Sequence, residues 1–319
     1  MSALALRQRP DAEDVLVPIP ADFRLQSGDR ISDRFIQLRR FGARNGPQVV
    51  ALGGISAGRD VCGDDGWWRE TIVDSAVIDL DRFGVIGVDF APLADERVRL
   101  APVDQARLIE IALDRLGIEA LRAFVGASYG GLVALAFAAR APRRLERLCI
   151  ISAAHRPAAQ ALAWRGVQRR IVEYGIAQDD PAGGLALARQ VAMITYRTAR
   201  EFETRFGAGL DAEGQGEVDR YLESRGEAYT EVALPQRWLS LSEAIDRAFV
   251  DPSSIQTPTT LVACEEDQLV PAPFILELAR ALPNLRAHHI FSSFYGHDAF
   301  LKEPTRVAAI IANCLEEPR

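Results

Sequence analysis

Gly126-Ala127-Ser128-Tyr129-Gly130-Gly131 constrains this chain more than any other stretch. An apolar run, Ala123-Phe124-Val125, precedes it and reads as a buried strand. An alanine-rich run over residues 132–139 follows and reads as a helix that stops before Pro142. A G-x-S-x-G turn between strand and helix is so tight that its flanks cannot carry bulk, and Gly126 and Gly130 meet that demand. The Ser128 hydroxyl is then held at the tip of the turn, above the sheet. The amide of Tyr129 lies at a helix N-terminus, where an unpaired N–H and the helix dipole favour a developing oxyanion. Ser128 is therefore the candidate nucleophile.

Other short apolar runs, at 49–52, 85–88, 148–151, 259–264 and 287–291, alternate with helical patterns such as 102–116. That alternation predicts an α/β fold, a mostly parallel sheet with helices on both faces. Residues 1–30 read as a loose arm followed by one or two edge strands, and 34–41 as a half-exposed antiparallel strand. From 161 to 250 strand runs vanish and helical patterns dominate (162–174, 185–196, 218–222, 239–249). This predicts an inserted helical cap over 161–250, with 1–160 and 251–319 forming the sheet domain and a last helix over 305–315. Gly53-Gly54 after the strand at 49–52 marks a second turn beside the elbow. Trp67-Trp68, in a Gly- and Asp-rich loop, reads either as the seal of a pocket mouth or as packing under the loop.

With 319 residues, 48% hydrophobic, 25% charged and a net charge of −7, the composition is that of a globular protein and excludes the basic face a nucleic-acid binder needs. No apolar stretch reaches membrane-spanning length, and the first twenty residues lack a signal-peptide core. The four cysteines (Cys62, Cys149, Cys264, Cys314) are scattered without zinc spacing. They read as reduced thiols in a cytoplasmic protein that binds small molecules and neither metal, membrane nor nucleic acid.

A serine nucleophile needs a base and a group to orient that base. Of four histidines, His155 follows the strand after the elbow, and His288 and His289 alternate within a strand. His297, in a loop past the last strand, fits both the chain order and the position of a base. Asp267, in the loop after the strand at 259–264, is the preferred acid, with Glu265 and Glu266 as competitors. Loops at the C-terminal ends of parallel strands converge on one point, where an open α/β sheet places its site.

Ala51-Leu52-Gly53-Gly54-Ile55-Ser56, Gly66-Trp67-Trp68, the stretch 78–83, the elbow with Tyr129, the stretch 188–197 and Gly296-His297-Asp298-Ala299-Phe300-Leu301 together give the chain a family likeness. It resembles the homoserine O-acyltransferases of the α/β-hydrolase superfamily, most of all those that use succinyl-CoA. The resemblance implies the α/β-hydrolase fold and a ping-pong transfer of a succinyl group to L-homoserine in methionine biosynthesis. It implies no bound cofactor, acyl-CoA as co-substrate, oxyanion amides from Leu52 and Tyr129, Arg189 and Tyr196 on the acceptor's carboxylate, and Asp298 on its ammonium. The family's usual Gly-Pro-Gly after the paired Trp is replaced here by Val73-Asp74-Ser75, which leaves acceptor and donor identity open. Serine as acceptor and acetyl as donor remain alternatives, as do a serine esterase or thioesterase and a non-catalytic relative. Arg59, then Arg69, are the candidates nearest in sequence for reading a donor carboxylate. Apolar helices of the cap predict a homodimer contact through it.

Overall fold

Five runs of the chain are buried from end to end, and they form the centre of one sheet. The computed structural model describes residues 11–75 and 77–316. Its strands are β1 (Ala12–Pro18), β2 (Phe35–Gly42), β3 (Gln48–Leu52), β4 (Gly84–Val88), β5 (Ala123–Ala127), β6 (Leu148–Ile151), β7 (Thr259–Cys264) and β8 (Leu285–Phe291). Their spatial order is β1-β2-β4-β3-β5-β6-β7-β8. β1 and β2 are antiparallel to their neighbours, and β4 to β8 run parallel. The helices are α1 (Pro102–Arg115), α2 (Tyr129–Arg140), α3 (Ala159–Ala177), α4 (Pro181–Tyr196), α5 (Ala199–Arg205), α6 (Glu217–Thr230), α7 (Pro235–Asp246), α8 (Ala272–Ala281), α9 (Ala299–Lys302) and α10 (Pro304–Glu316). The fold is that of the α/β hydrolases.

A strand buried on both faces has no polar side, so its side chains divide by alternation between two cores. Val50, Leu52, Ile86 and Phe124 join one core with Leu108 and Leu113 of α1 and Phe137 of α2. Val49, Ala51, Val85 and Val125 join the other, with Trp68, Ile72 and Val307 and Ile311 of α10.

Helices α3 to α7 lie between β6 and β7 and have a small core of their own, including Val172, Leu185, Ala188, Trp238 and Leu239. α3 and α4 meet at two glycines: a Cβ on Gly175 would stand 2.7 Å from the Cα of Gly184. Polar ties bind these helices to the sheet domain. Arg97 reaches Glu173 at 2.8 Å and Glu243 at 2.6 Å, and the Arg237 guanidinium donates to the carbonyls of Phe90 and Pro92.

Several local expectations are corrected. Of the loose arm expected over 1–30, residues 1–10 lie outside the described residues, and 12–18 form β1, paired along its length with β2. α2 starts at Tyr129, directly after the serine. α8 fills a stretch for which the sequence reading named no element; Pro271 and Pro273 flank its start, and a proline in the first helical turn loses no intrahelical bond. α5 has seven residues and too few apolar ones to show a period.

The elbow itself is closed by backbone. A Cβ on Gly126 would stand 2.4 Å from the carbonyl oxygen of Gly130, and one on Gly130 2.4 Å from that of Leu52. Neither neighbour is a flexible side chain that can step aside. Gly126→Ala and Gly130→Ala should each lower unfolding stability by about 1–3 kcal/mol, the range for overpacking. Gly209→Ala, with nothing within 4 Å of the added Cβ, should stay within about 0.5 kcal/mol. Urea unfolding midpoints of the three variants check this; equal midpoints would remove the steric account.

Candidate active site

Ser128 alone separates β5 from α2, and its backbone is forced to φ 53°, ψ −120°. A non-glycine residue there stores strain of about 1–3 kcal/mol. Its amide donates to the carbonyl of Ile151 on β6 at 2.9 Å, and its carbonyl accepts from Gly131 and Leu132. The turn is thus fixed from both sides.

β7 ends at Cys264, and the loop after it curls back on its own acid. Oδ1 of Asp267 accepts from the amides of Leu269 and Val270, each at 2.9 Å. Oδ2 lies 2.7 Å from Nδ1 of His297, with both side chains buried. A carboxylate can only accept, so Nδ1 carries the hydrogen and Nε2 is left bare. Nε2 lies 2.9 Å from Oγ of Ser128. Burial pulls the imidazole's pKa down, but the Asp267 carboxylate, helped by Asp298, more than reverses this and leaves it raised.

His297 reaches this position because Gly296 turns the chain at φ 58°, a conformation that favours glycine. A Cβ on Gly296 would also press on the carbonyl of Tyr196, at 3.0 Å. The competing acids are otherwise engaged. Glu266 accepts from the Ser292 hydroxyl and, at 2.8 Å, from the Ser293 amide, which fastens the histidine loop to β7; Glu265 is exposed. His155 lies 3.3 Å from Glu277, and His288 and His289 sit on the edge strand β8.

Ser128 and His297 open on a cavity of about 410 Å³. Tyr129 lines it, and its amide is in the first turn of α2, where the helix supplies no acceptor. Leu52 ends β3 in register with Gly126, its carbonyl facing Gly130 of the elbow, and Gly54 just after it lines the cavity. The paired tryptophans divide the two roles weighed for them. Trp67 lines the cavity, while Trp68 is 2% exposed and donates from Nε1 to the carbonyl of Phe300.

Across the cavity, α4 presents Arg189 and Tyr196, and the histidine loop presents Asp298. The Arg189 guanidinium lies over the rings of Tyr229, at 4.5 Å, and Tyr196, at 5.5 Å. It has no hydrogen bond or ion pair among the described residues. Tyr196 stacks near His297, with ring centroids 5.9 Å apart. Burial raises the Asp298 carboxyl, against the pull of His297, Arg197 and Arg189.

Four cations that sequence reasoning missed also line the cavity: Arg165, Arg197, Arg225 and Lys302. Nothing local marks Arg165 out, since Arg169 and Arg170 stand close by on the same helix. Lys302 carried one overlooked signal, being the single lysine of the chain. Arg59 and Arg69, expected to read a donor carboxylate, do not line the cavity. Arg59 is held by Asp14 and Asp89, and Arg69 lies beside Asp64 and Asp74. Among the described residues no cluster of metal-ligating side chains occurs, and no helix is long and apolar enough to cross a membrane.

The model of the alpha/beta hydrolase fold family matches residues 47–304. The homoserine O-succinyltransferase of Xanthomonas campestris pv. campestris is 39% identical over 285 residues, covering 86% of this chain and 77% of that one. The homoserine O-acetyltransferase of Geotalea daltonii is 28% identical, covering 96% of this chain and 98% of that one. Among solved structures, esterase E22 superposes with a TM-score of 0.84 at 17% identity, over 96% of this chain and 100% of the esterase. The homoserine O-acetyltransferase of Bacillus anthracis does so with 0.83 at 15% identity, over 97% and 98%. At such identities the superpositions speak for the fold alone.

The geometry makes the neutral imidazole the proton acceptor for Ser128. Because the His297 pKa is raised, protonation removes that form at a pH above the ordinary imidazole value of about 6.5. Labelling of Ser128 by a fluorophosphonate should therefore slow as pH falls, with its midpoint above 6.5. Asp267→Asn should slow labelling by about 10³–10⁴-fold, the scale for a wrongly oriented base, and move the midpoint lower. Labelling rates across pH for both proteins check this; a parent midpoint at or below 6.5 would contradict it.

Proposed function

Because the chain belongs to the homoserine O-acyltransferase family, within the α/β-hydrolase fold family, we propose that it moves a succinyl group from succinyl-CoA to the hydroxyl of L-homoserine, as in methionine biosynthesis. It is an acyltransferase. One observation carries the finer reading: Ser128 and His297, the latter held by Asp267, open on a cavity that is also lined by Arg189, without a hydrogen bond or ion pair among the described residues, and by the half-buried Asp298. A simple esterase needs only the first three.

In the proposed mechanism His297 Nε2 takes the proton from Ser128 as Oγ attacks the thioester carbonyl. The amides of Tyr129 and Leu52 hold the oxyanion. The C–S bond breaks, the thiolate of CoA takes the proton from His297, and an acyl-serine remains. The acceptor hydroxyl then gives its proton to Nε2 and attacks the acyl-serine. As the ester leaves, Ser128 regains a proton from His297. Arg189 offers two parallel donors to the acceptor's carboxylate beside Tyr196, and Asp298 accepts from its ammonium. The acceptor is thus held at both ends, with its hydroxyl toward the base.

We also place the protein in the cytoplasm, since its four buried cysteines form no disulfide among the described residues, which suits a reducing compartment. A homodimer through the cap is the matching proposal for the exposed apolar residues of α3 and α4, among them Val167, Tyr174, Leu187 and Ile194.

The test is a matrix of acyl-CoAs against hydroxy amino acids, read by product mass. Succinyl-CoA with homoserine should give the highest rate, and Ser128→Ala should remove it by about 10⁴-fold or more. Asp298→Asn and Arg189→Ala should each raise the homoserine KM by about 10–100-fold, the worth of one charge-assisted hydrogen bond. Acyl-enzyme should still form in both. Variants that transfer to homoserine as well as the parent would put the acceptor elsewhere. Thiol release that does not depend on any acceptor would favour an esterase.

A further inference from the structure

A two-residue joint between two helices touches both catalytic loops. Arg197 and Thr198 separate α4 from α5. The Thr198 hydroxyl donates to the carbonyl of Phe294, at 2.7 Å, in the loop that carries His297. It also accepts from the amide of Glu201, at 3.0 Å, and so caps α5. A hydroxyl has one hydrogen to give and lone pairs to accept with, and here both capacities are used. Thr198 is buried, so water does not compete for these bonds. On the other side of the joint, the carbonyl of Arg197 accepts from Nε2 of Gln268, at 3.1 Å. Gln268 directly follows Asp267, the acid that holds His297. Backbone contact closes the third side. A Cβ on Gly296 would stand 3.0 Å from the carbonyl of Tyr196 and 3.3 Å from Cγ2 of Thr198. The residue before the base therefore rests on the joint itself.

Two parts of the site differ in what holds them. Ser128, His297 and Asp267 are fixed to one another within the sheet domain, by the contacts of 2.9 Å and 2.7 Å between them, by the bond from the Ser128 amide to β6 and by the amides that Asp267 accepts from. None of these bonds involves helices α3 to α7. Tyr196 and Arg189, by contrast, belong to α4, and α4 packs chiefly on α3 and α6. Those neighbours belong to the same inserted unit and do not by themselves set its place over the serine. The joint does so at the end that matters, because it follows Tyr196 directly and the Tyr196 ring lies 5.9 Å from that of His297.

We propose that Thr198, with Gln268, is a positioning residue: it locks the last turn of α4 to the histidine loop and so keeps the cavity wall formed by α4 in register with the base. The inference rests on the acyltransfer reading above, since only a reaction with a bound second substrate needs that register. Water attacks an acyl-serine without a binding site. Loss of the lock therefore changes which nucleophile takes the acyl group, and leaves the reactivity of Ser128 itself as it was.

The experiment supplies succinyl-CoA and homoserine together and reads the ratio of succinylated homoserine to free succinate by mass. Thr198→Val keeps the shape of threonine without its hydroxyl. In it the ratio should fall by about 10–100-fold, the scale for a reactant misplaced by about 1 Å. Labelling of Ser128 by a fluorophosphonate, which needs the base and no acceptor, should keep the parent's rate and pH midpoint. Thr198→Ser retains the hydroxyl and should restore the ratio. Gln268→Leu alters an exposed side chain and covers a Thr198→Val that fails to fold. It should lower the ratio by about 2–10-fold, the worth of one ordinary hydrogen bond. Labelling that falls as far as transfer does would mark Thr198 as a structural cap of α5 and overturn the inference. An unmoved ratio in Thr198→Val would overturn it too, as would a Thr198→Ser that restores nothing or an unmoved ratio in Gln268→Leu. In each of these cases a parent that transfers leaves the acyltransfer reading standing. A parent that passes no acyl group to homoserine would overturn that reading, and this inference with it.

Discussion

The strained backbone of Ser128 is the constraint from which the rest of the site follows. A residue at φ 53°, ψ −120° does not stay there alone. Its amide is tied to β6, its carbonyl to the first turn of α2, and Gly130 donates across to the carbonyl of Gly53 after β3. Two strand ends and a helix start therefore meet at this turn. Gly126 and Gly130 let the start of α2 approach the backbone of β5 and of β3 more closely than any side chain allows. The same approach brings the start of α2 and the end of β3 together, so the turn that raises the hydroxyl also brings two candidate oxyanion amides to its side.

Charge in the cavity runs against the charge of the chain. The protein carries −7 overall, yet the cavity is lined by Arg165, Arg189, Arg197, Arg225 and Lys302, with Asp298 as its one acid among the described residues. A cleft of one sign with apolar walls raises the local concentration of ligands of the opposite sign. The proposed substrates carry phosphates and carboxylates, and only the acceptor's ammonium is positive. One acid among several cations matches that inventory.

The central strands, the elbow and the histidine loop were legible because each is a local pattern: an apolar run, two glycines at fixed spacing, a histidine after the last strand. β1 was hidden because an edge strand is half exposed and reads as polar. α8 was hidden by prolines that mark a loop in most contexts and a first helical turn in this one. Arg165 could not be read at all. What sets it apart is a carboxylate 81 residues away that it shares with Arg169. Arg59 looked promising for the opposite reason: it lies near the elbow's partner loop in sequence, while its partners Asp14 and Asp89 lie outside that loop. Sequence distance from a catalytic motif is a poor guide to a binding cation, because a long side chain follows the nearest carboxylate.

Esterases and acyltransferases of this fold share the serine, the base and the acid, so what separates them has to lie in what reaches the acyl-serine second. Water needs no binding site, and an acceptor hydroxyl outruns it only by being held in line with the base. Effective molarities of about 10⁵–10⁸ M are the known reach of such orientation. In the proposed function two charged anchors on one small molecule would provide it, Arg189 and Asp298 fixing both ends of the acceptor's α-carbon and leaving its hydroxyl few positions. In the same proposal the helices between β6 and β7 would contribute the other half of the discrimination. Trp164, Met193, Tyr196 and Trp238, all from α3, α4 and α7, line the cavity that Ser128 opens on. Apolar surface there disfavours loosely held water and strengthens each charge contact made inside. On this account a transferase differs from an esterase less by new chemistry at the serine than by the cations and rings that helices inserted after β6 bring over it.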